Sequence, residues 1–518
     1  MNSTPQSIFF SKRSKDFAYP ILSLFSLFIT IVVFSGCQIA NDALDFQTPE
    51  GASPEFATAL VDTKVSLQDI LKSTGNAQFI QVEADGLIKF FYEGNSFEKT
   101  AKELINFPSQ LAIPSVAPTT TLPMPIIGGM VISKTSLKAG IIRFEFNASE
   151  ALNIIVTIPQ LQKGAIVFSK TFTAKAGKFD SGNLDIAGYT LSPTNAKDIS
   201  IIYQAQNAAG SVISNLDLKT NFENWDYTYV EGYMNQQYFN FDKQRKYINL
   251  FTDLIGTLEF ISPRLNIEIE NSFGVPFQAN ITSLSALGLK SSGFIDTLPI
   301  NVANKNIDFN YPLISEAGIS KKTKITFDKS NSNIASVINK NPLAIESDID
   351  ASTKSSGNKL TFINENSKLS FKSNLELPMY LTAKGFSYDL VVKKDFSILE
   401  NNVEKAEIKL ITDSGIPADV TLQGYFQDAN NNILDSLFSG AKTLLIGAEV
   451  DANGVVTKNV RKEDLISLDN AKIVRVKNAK RLVLNFSLAT SNSGKSIVRF
   501  NTNQNLSIKM GIKVKAKI

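Results

Sequence analysis

Carboxylates come first among the residues of this chain whose types and spacing could do chemistry. Asp348 with Asp350, and Asp389 with Asp395, are candidate pairs, and a glycosidase needs two carboxylates and no histidine. Yet positions i and i+2 of a strand share one face, so an exposed acidic face accounts for Asp348 and Asp350 without any site. Asp428-Ala429-Asn430-Asn431-Asn432 offers calcium-like oxygens but lacks the glycine and closing glutamate of an EF-hand loop, and reads as a hairpin turn. Trp225, Tyr227 and Tyr229 alternate within Phe222 to Val230, which on a strand projects three rings to one face. Exposed, they would stack on sugar rings, with Glu223 or Asp226 for hydroxyls; buried, they would pack one domain onto the next. Histidine is absent from all 518 residues and cysteine occurs once. That removes Ser-His-Asp and Cys-His centres, zinc fingers, most transition-metal sites and internal disulfides. No cofactor or metal is expected, and the chain is read as a non-enzyme.

The one cysteine has a place. Lys12, Arg13 and Lys15 precede an apolar run from Tyr19 to Val33 that closes with Phe34-Ser35-Gly36-Cys37: a charged region, a hydrophobic region and small residues before a cut. The segment resembles a bacterial lipoprotein signal, with Phe34 where leucine is more usual. That resemblance implies that Cys37 becomes the first mature residue and carries acyl chains, which hold a protein to a bilayer without a spanning helix. The competing reading is an uncleaved anchor, since the run is nearly long enough to span. Gln38 follows in place of the aspartate that retains enterobacterial lipoproteins in the inner membrane, so the outer membrane is expected. The sequence does not choose between its periplasmic and outer faces.

With 52 basic and 49 acidic residues the charges nearly cancel, and after loss of residues 1–36 they stand at 49 and 48. Nothing here tracks a nucleic-acid backbone. A chain that is 43% hydrophobic and 19% charged can bury several cores.

Residues 37–54 read as a tether rich in polar and turn residues. Val65 to Leu71 suggests a short helix capped by Ser66. Ala84-Asp85-Gly86 between Phe79 to Glu83 and Leu87 to Tyr92 is a hairpin signal. Ser96 to Phe107 suggests a second helix, and the prolines from Pro108 to Pro125 an extended connection. Beyond it, Ile141 to Phe146, Leu152 to Ile158, Val167 to Thr173 and Ile199 to Ala205 have strand length and turn-forming borders, as stacked antiparallel sheets require.

The strongest internal signal is a duplication. Leu265 to Thr282, LNIEIENSFGVPFQANIT, returns as Glu407 to Gln423, EIKLITDSGIPADVTLQ, with Gly274-Val275-Pro276 on Gly415-Ile416-Pro417 at an offset of 141. Ile267, Ile269 and Ile281 then fall on Ile408, Leu410 and Leu422. A second match sets Leu369-Ser370-Phe371-Lys372 on Leu506-Ser507-Ile508-Lys509 at an offset of 137, an ordinary loop difference. Ser332 to Ile338, and Asp469 to Val476 opposite it, are short helical candidates. Glycine supplies a positive φ at the repeated turn, and the proline two residues on blunts an edge that tandem copies might otherwise pair wrongly. Asn271, Gly274, Pro276, Gly415 and Pro417 are therefore read as structural rather than ligand-contacting.

Strand, Asn-Ser-Phe-Gly-Val-Pro, strand at Ile267 to Ile281 resembles the signature of LEA-2, or water-stress-hypersensitive, domains. Asn271 and Pro276 match it, whereas the second copy keeps only Gly415 and Pro417 and has Thr412 and Asp413 in place of the Asn-Ser pair. The resemblance covers about half the chain and implies small antiparallel sandwiches with one short helix each. The arrangement also resembles Bacteroidota outer-membrane lipoproteins, a likeness that implies no particular activity. Asp296-Thr297-Leu298 and Asp435-Ser436-Leu437 are similar to the O-glycosylation acceptor of that group.

The expected fold is all-β with a few short helices. Its divisions are a signal peptide 1–36, a tether 37–54, a hairpin and helix segment with a Pro-rich connection 55–125, a β-sandwich-like domain with aromatic linking strands 126–255, and two tandem antiparallel β-sandwich modules, 256–396 and 397–518. The leading functional expectation is a lipid-anchored envelope protein that scaffolds or holds a protein partner. The alternatives are a carrier of lipid or another apolar ligand, in a cavity lined by residues such as Phe260, Phe294, Phe309 and Phe327, and a glycan-binding surface lipoprotein using Trp225, Tyr227 and Tyr229.

Overall fold

The computed structural model describes residues 55–67, 79–115, 117–239, 243–251, 256–289, 295–393 and 403–516. Cys37, Phe294 and Asp395 lie outside them. Antiparallel strands dominate, and three helices stand among the described residues: α1 (Ala101–Leu104), α2 (Ile334–Ile338) and α3 (Asn470–Val476). The all-β expectation holds.

The first sheets follow from strand-length apolar alternation. Met130–Ala148 buries Ile132, Leu137, Ile142, Phe144 and Phe146 and pairs along most of Leu218–Met234. Opposite, Leu152–Lys163 lies between Ile166–Ala174 and Asp198–Asn207. Thr190–Leu191 pairs with both Met130–Ala148 and Leu152–Lys163, joining the two faces along one side. The Pro-rich stretch is not a bare connection. It supplies strands Gln110–Ser115 and Thr119–Pro123, and Pro114 and Pro123 are tolerated because each strand has a neighbour on one side only.

Two further pairs of sheets share one design. In one, the order is Ile88–Thr100, Lys368–Pro378, Arg264–Asn271, Lys321–Phe327; in the other, Glu55–Ser66, Asn505–Ala516, Val403–Ser414, Val460–Leu468. The facing sheets repeat as well: Ala344–Thr353 beside Phe277–Leu289, and Arg481–Thr490 beside Ala418–Gln427. Phe277 sits across from Thr353 and Ala418 across from Thr490, offsets of 141 and 137. In the other sheets Asn271 faces Leu369 while Ser414 faces Leu506, so that pairing slips by two residues. A slip of two keeps every side chain on its own face.

Each copy borrows a strand from the amino-terminal region, which the sequence reading did not foresee. Val65 and Ser66 end the strand Glu55–Ser66, Leu67 after them is helical, and Gln68 to Leu71 lie outside the described residues; Ser96 to Thr100 continue the strand Ile88–Thr100, leaving only α1 of that second candidate helical. Both strands answer an open sheet edge, and at Ser96 to Thr100 its row of unpaired N–H and C=O groups outweighs weak local helix propensity. The Asp85-Gly86 hairpin does form, with Ile80 opposite Phe90 and Val82 opposite Ile88. It is tied down by Glu376, which accepts from Lys89 at 3.1 Å, from Arg264 at 2.9 Å and from Asn266 Nδ2 at 3.0 Å.

The repeated turns need glycine for space. Neither Gly274 nor Gly415 has a positive φ. A Cβ on Gly274 would stand 2.0 Å from the Phe362 ring, and one on Gly415 3.0 Å from Asn459 Oδ1. The two prolines do not mark exposed sheet edges. Pro276 and Pro417 precede the interior strands Phe277–Leu289 and Ala418–Gln427, and their carbonyls accept from Lys354 N at 2.8 Å and Ser491 N at 3.1 Å. Asn271 Oδ1 accepts from Phe273 N at 3.0 Å; in the second copy Ser414 Oγ accepts from Ile416 N at 3.2 Å, so a hydroxyl two residues further along takes over.

Candidate functional site

The aromatic strand is core. Trp225 is 6% exposed and Tyr227 2%. Trp225 Nε1 donates to Pro108 O at 2.7 Å, and the Tyr227 hydroxyl lies within 3.1 Å of the carbonyls of Ala101 and Ile105. Phe107 packs on both rings, its centroid 4.8 Å from that of Trp225 and 5.5 Å from that of Tyr227. Burial pushes the Tyr227 hydroxyl well above its ordinary pKa. Nor do the three rings share a face, because the pairing register shifts between Tyr227 and Tyr229 and Val230 continues the buried series. Tyr229 stacks instead on Phe362 with centroids 6.0 Å apart and donates to Glu231 at 2.6 Å. Of the two readings of this strand, the packed contact is the one found, here between the first sheets and the first copy.

The other candidates have local partners. Asp428 accepts from the Asn430 and Asn432 amides at 2.8 and 2.9 Å, closing a hairpin turn with Asn431 at φ 71°. Asp350 accepts from Thr282 Oγ1 at 3.0 Å, and Asp348 sits opposite Ser283, beyond a register shift. Ser436 Oγ donates to Phe438 O at 2.7 Å. Among the described residues no cluster of three or more Cys, Asp and Glu side chains could hold a metal ion. Phe260, Phe309 and Phe327 are buried in the hydrophobic core.

A different place gathers polar groups. The two copies are stitched by a three-stranded sheet, Thr257–Phe260, Tyr380–Lys384, Val498–Arg499. Beside it a cavity of about 220 Å3 opens onto Asn459, Arg499, Asn501, Asn503, Gln504 and Asn505. Val455 and Val456 form an apolar wall, and Gly415 contributes bare backbone. The Arg499 guanidinium lies 4.5 Å over the Tyr380 ring, its Nε donates to Asn453 O at 3.2 Å, and its far end is 3.6 Å from Asp85. The loop is braced from outside: Thr502 N donates to Gly86 O at 3.1 Å, Ile88 N to Phe500 O at 3.0 Å, and Leu67 N to Gln504 O at 2.8 Å. Both borrowed segments thus help position it.

The sequence reading missed this site. Its signal is Phe500-Asn501-Thr502-Asn503-Gln504-Asn505, an amide-rich run just before the Leu506 to Lys509 match.

No known protein family matches this chain, and no curated protein resembles it. Among solved structures, it is similar to a Parabacteroides distasonis protein described as presumed secreted, at 13% identity and a TM-score of 0.31, over 55% of this chain and 88% of that one. It is also similar to infectious bursal disease virus, Gx strain, at 10% identity and a TM-score of 0.14, over 83% and 80%, and to the PBSX exported protein XepA at 9% identity and a TM-score of 0.12, over 55% and 86%.

Proposed function

We propose that this chain is a non-enzymatic lipoprotein, anchored in the bacterial outer membrane through acyl chains on Cys37, whose paired LEA-2-like sandwiches hold an envelope protein partner. One observation supports it above the others. Glu55, eighteen residues beyond Cys37, begins a strand that pairs from Lys515 back to Asn505 and so completes the last sheet of the chain. A pull on the anchor therefore enters a four-stranded sheet directly rather than a loose appendage. The intervening tether, extended, reaches roughly 60 Å, enough to hold the body clear of lipid headgroups.

Radiolabelled palmitate should enter the native chain and fail to enter Cys37→Ser, which should leave the membrane fraction. Labelling that persists in the variant, or unchanged fractionation, refutes the anchor. Isolation from gently solubilised membranes should recover a protein bound at a fixed ratio; recovery of phospholipid alone would replace the scaffold with a lipid carrier.

A further inference from the structure

The outer faces of the sheets differ in charge. On the last sheet Lys513 pairs with Glu55 at 2.5 Å, Lys509 with Asp62 at 3.1 Å and Lys409 with Glu463 at 3.0 Å. On the matching sheet of the first copy Lys368 pairs with Glu98 at 3.1 Å and Lys324 with Glu268 at 3.8 Å. The sheet that sets Ile166–Ala174, Leu152–Lys163 and Asp198–Asn207 side by side is built otherwise. Ile154, Val156, Phe168, Ile201 and Tyr203 are buried, so the residues between them point outward. Thr171, Ile155 and Gln204 make the middle row of that outer face. Ser169, Thr157 and Ile202 stand on one side of it, and Thr173, Asn153 and Gln206 on the other. None of these nine carries a charge. Charges return at the rim, with Lys175 beyond the end of one strand, Asp198 at the start of another and Glu150 held 3.2 Å from Asn207 Nδ2.

Such a face costs little to cover. Its hydroxyls are matched to one another: those of Thr157 and Ser169 lie 3.0 Å apart, and Thr173 Oγ1 donates to Asn153 Oδ1 at 2.9 Å. Excluding water therefore leaves these groups paired. Ile155, 39% exposed in the middle row, gains by burial. A charge-depleted centre inside a charged rim is the anatomy of a protein interface. The open edge beside it is guarded: Ile166–Ala174 pairs on one side only, and Lys170, on its core-facing side, stays exposed, an inward-pointing lysine of the kind that obstructs strand addition. Contact is thus face to face, with the two sheets about 10 Å apart. The missing charge also selects the occupant. An unlike partner is steered by complementary charge, and this centre offers none. Across a twofold axis each residue meets its own kind, so any charge there would meet its like; a neutral centre suits a second copy.

We propose that this face docks on the same face of a second copy of the chain, about a twofold axis near Ile155 and Thr171. Thr119–Pro123 pairs with Asp198–Asn207 and widens the face to four strands, roughly 20 Å by 20 Å. Two such faces bury on the order of 1,000 Å2, the low end for a specific contact, so the dimer is weak, with a dissociation constant on the order of 10–100 μM. The contact does not involve Cys37 and stands apart from the anchor.

Sedimentation equilibrium of residues 37–518 carrying Cys37→Ser, from about 1 to about 300 μM, spans that range and tests the proposal. A monomer–dimer equilibrium should appear, and raising salt from about 0.05 to about 0.5 M should leave it unchanged, because no ion pair forms at its centre. Thr171→Lys and Thr171→Glu should each weaken it by at least about tenfold by setting like charges across the axis. An equimolar mixture of the two variants should associate again as a mixed dimer, a recovery that unfolded chains could not give. Ser467→Lys, exposed on the ion-paired outer face of the last sheet, should change nothing. A monomer throughout, dissociation by salt, a dimer that persists in Thr171→Lys, or a mixture that stays monomeric overturns the assignment.

Discussion

Gly274 and Phe362 are locked face to face: the glycine N–H donates to the phenylalanine carbonyl at 3.0 Å, and the ring occupies the place where any larger residue would put its Cβ. Gly415, its counterpart in the repeated sequence, has no such ring against it: its N–H donates to Asn505 O at 2.8 Å.

Gly274→Ala should therefore cost about 1–3 kcal/mol by overpacking, read as a lower melting temperature. Gly415→Ala meets only Asn459 Oδ1 at 3.0 Å and Asn505 O at 3.1 Å and should cost less. Equal losses at the two positions would contradict the contrast between the copies.

Fluorescence has a single reporter, Trp225. Its emission should be blue-shifted and indifferent to every sugar. Trp225→Ala should cost about 3–5 kcal/mol as a large-to-small core change. Red-shifted emission quenched by ligand would instead restore the stacking platform.

The duplicated turn, the offsets and the all-β class were readable because apolar residues alternate over strand lengths on both sides of Gly274 and Gly415. The packing of the aromatic strand was legible too, but the separate face of Tyr229 was not, since a register shift after Tyr227 flips the inward face and leaves no local mark. The destinations of Glu55–Ser66 and Ile88–Thr100 were equally hidden. Pairing across hundreds of residues depends on which edge is open, and local sequence does not record that. The cavity escaped because amides read as turn formers until the groups around them are known.

Glu376 joins Lys89, Arg264 and Asn266 where the Asp85-Gly86 hairpin meets the first copy. Glu376→Ala should destabilise the chain by roughly 3–5 kcal/mol, because it strands half-buried cations rather than merely deleting a pair. The double variant Glu376→Met with Arg264→Met should recover part of that loss in a chemical melt. No recovery would mean that the network matters only through its packing.

Acid should unfold this protein over a narrow range. The Arg143 guanidinium beside Asp180 holds that carboxyl down at about 2, and the hydrogen bond from Arg245 lowers Glu346. Depressed carboxylates contribute stability that is fully present above their unfolded values, near 4, and is lost as pH falls through the folded ones. With no histidine in the chain, the melting temperature should stay level from about pH 5.5 to 8 and drop steadily below about pH 4. A step near neutrality would contradict this.

The pairing of Glu55–Ser66 with Asn505–Ala516 also dictates an order of events during synthesis. Ser66 and its partner Asn505 are separated by more than four hundred residues, so at roughly 5–20 residues per second the first strand waits on the order of half a minute or more for its mate. Throughout that interval it is a ribbon seeking any unfilled edge, and the final sheet locks only when the last dozen residues arrive. Maturation of this polypeptide is thus a race between correct closure and capture by a neighbouring nascent chain, and a holdase acting on the early strand would decide its yield.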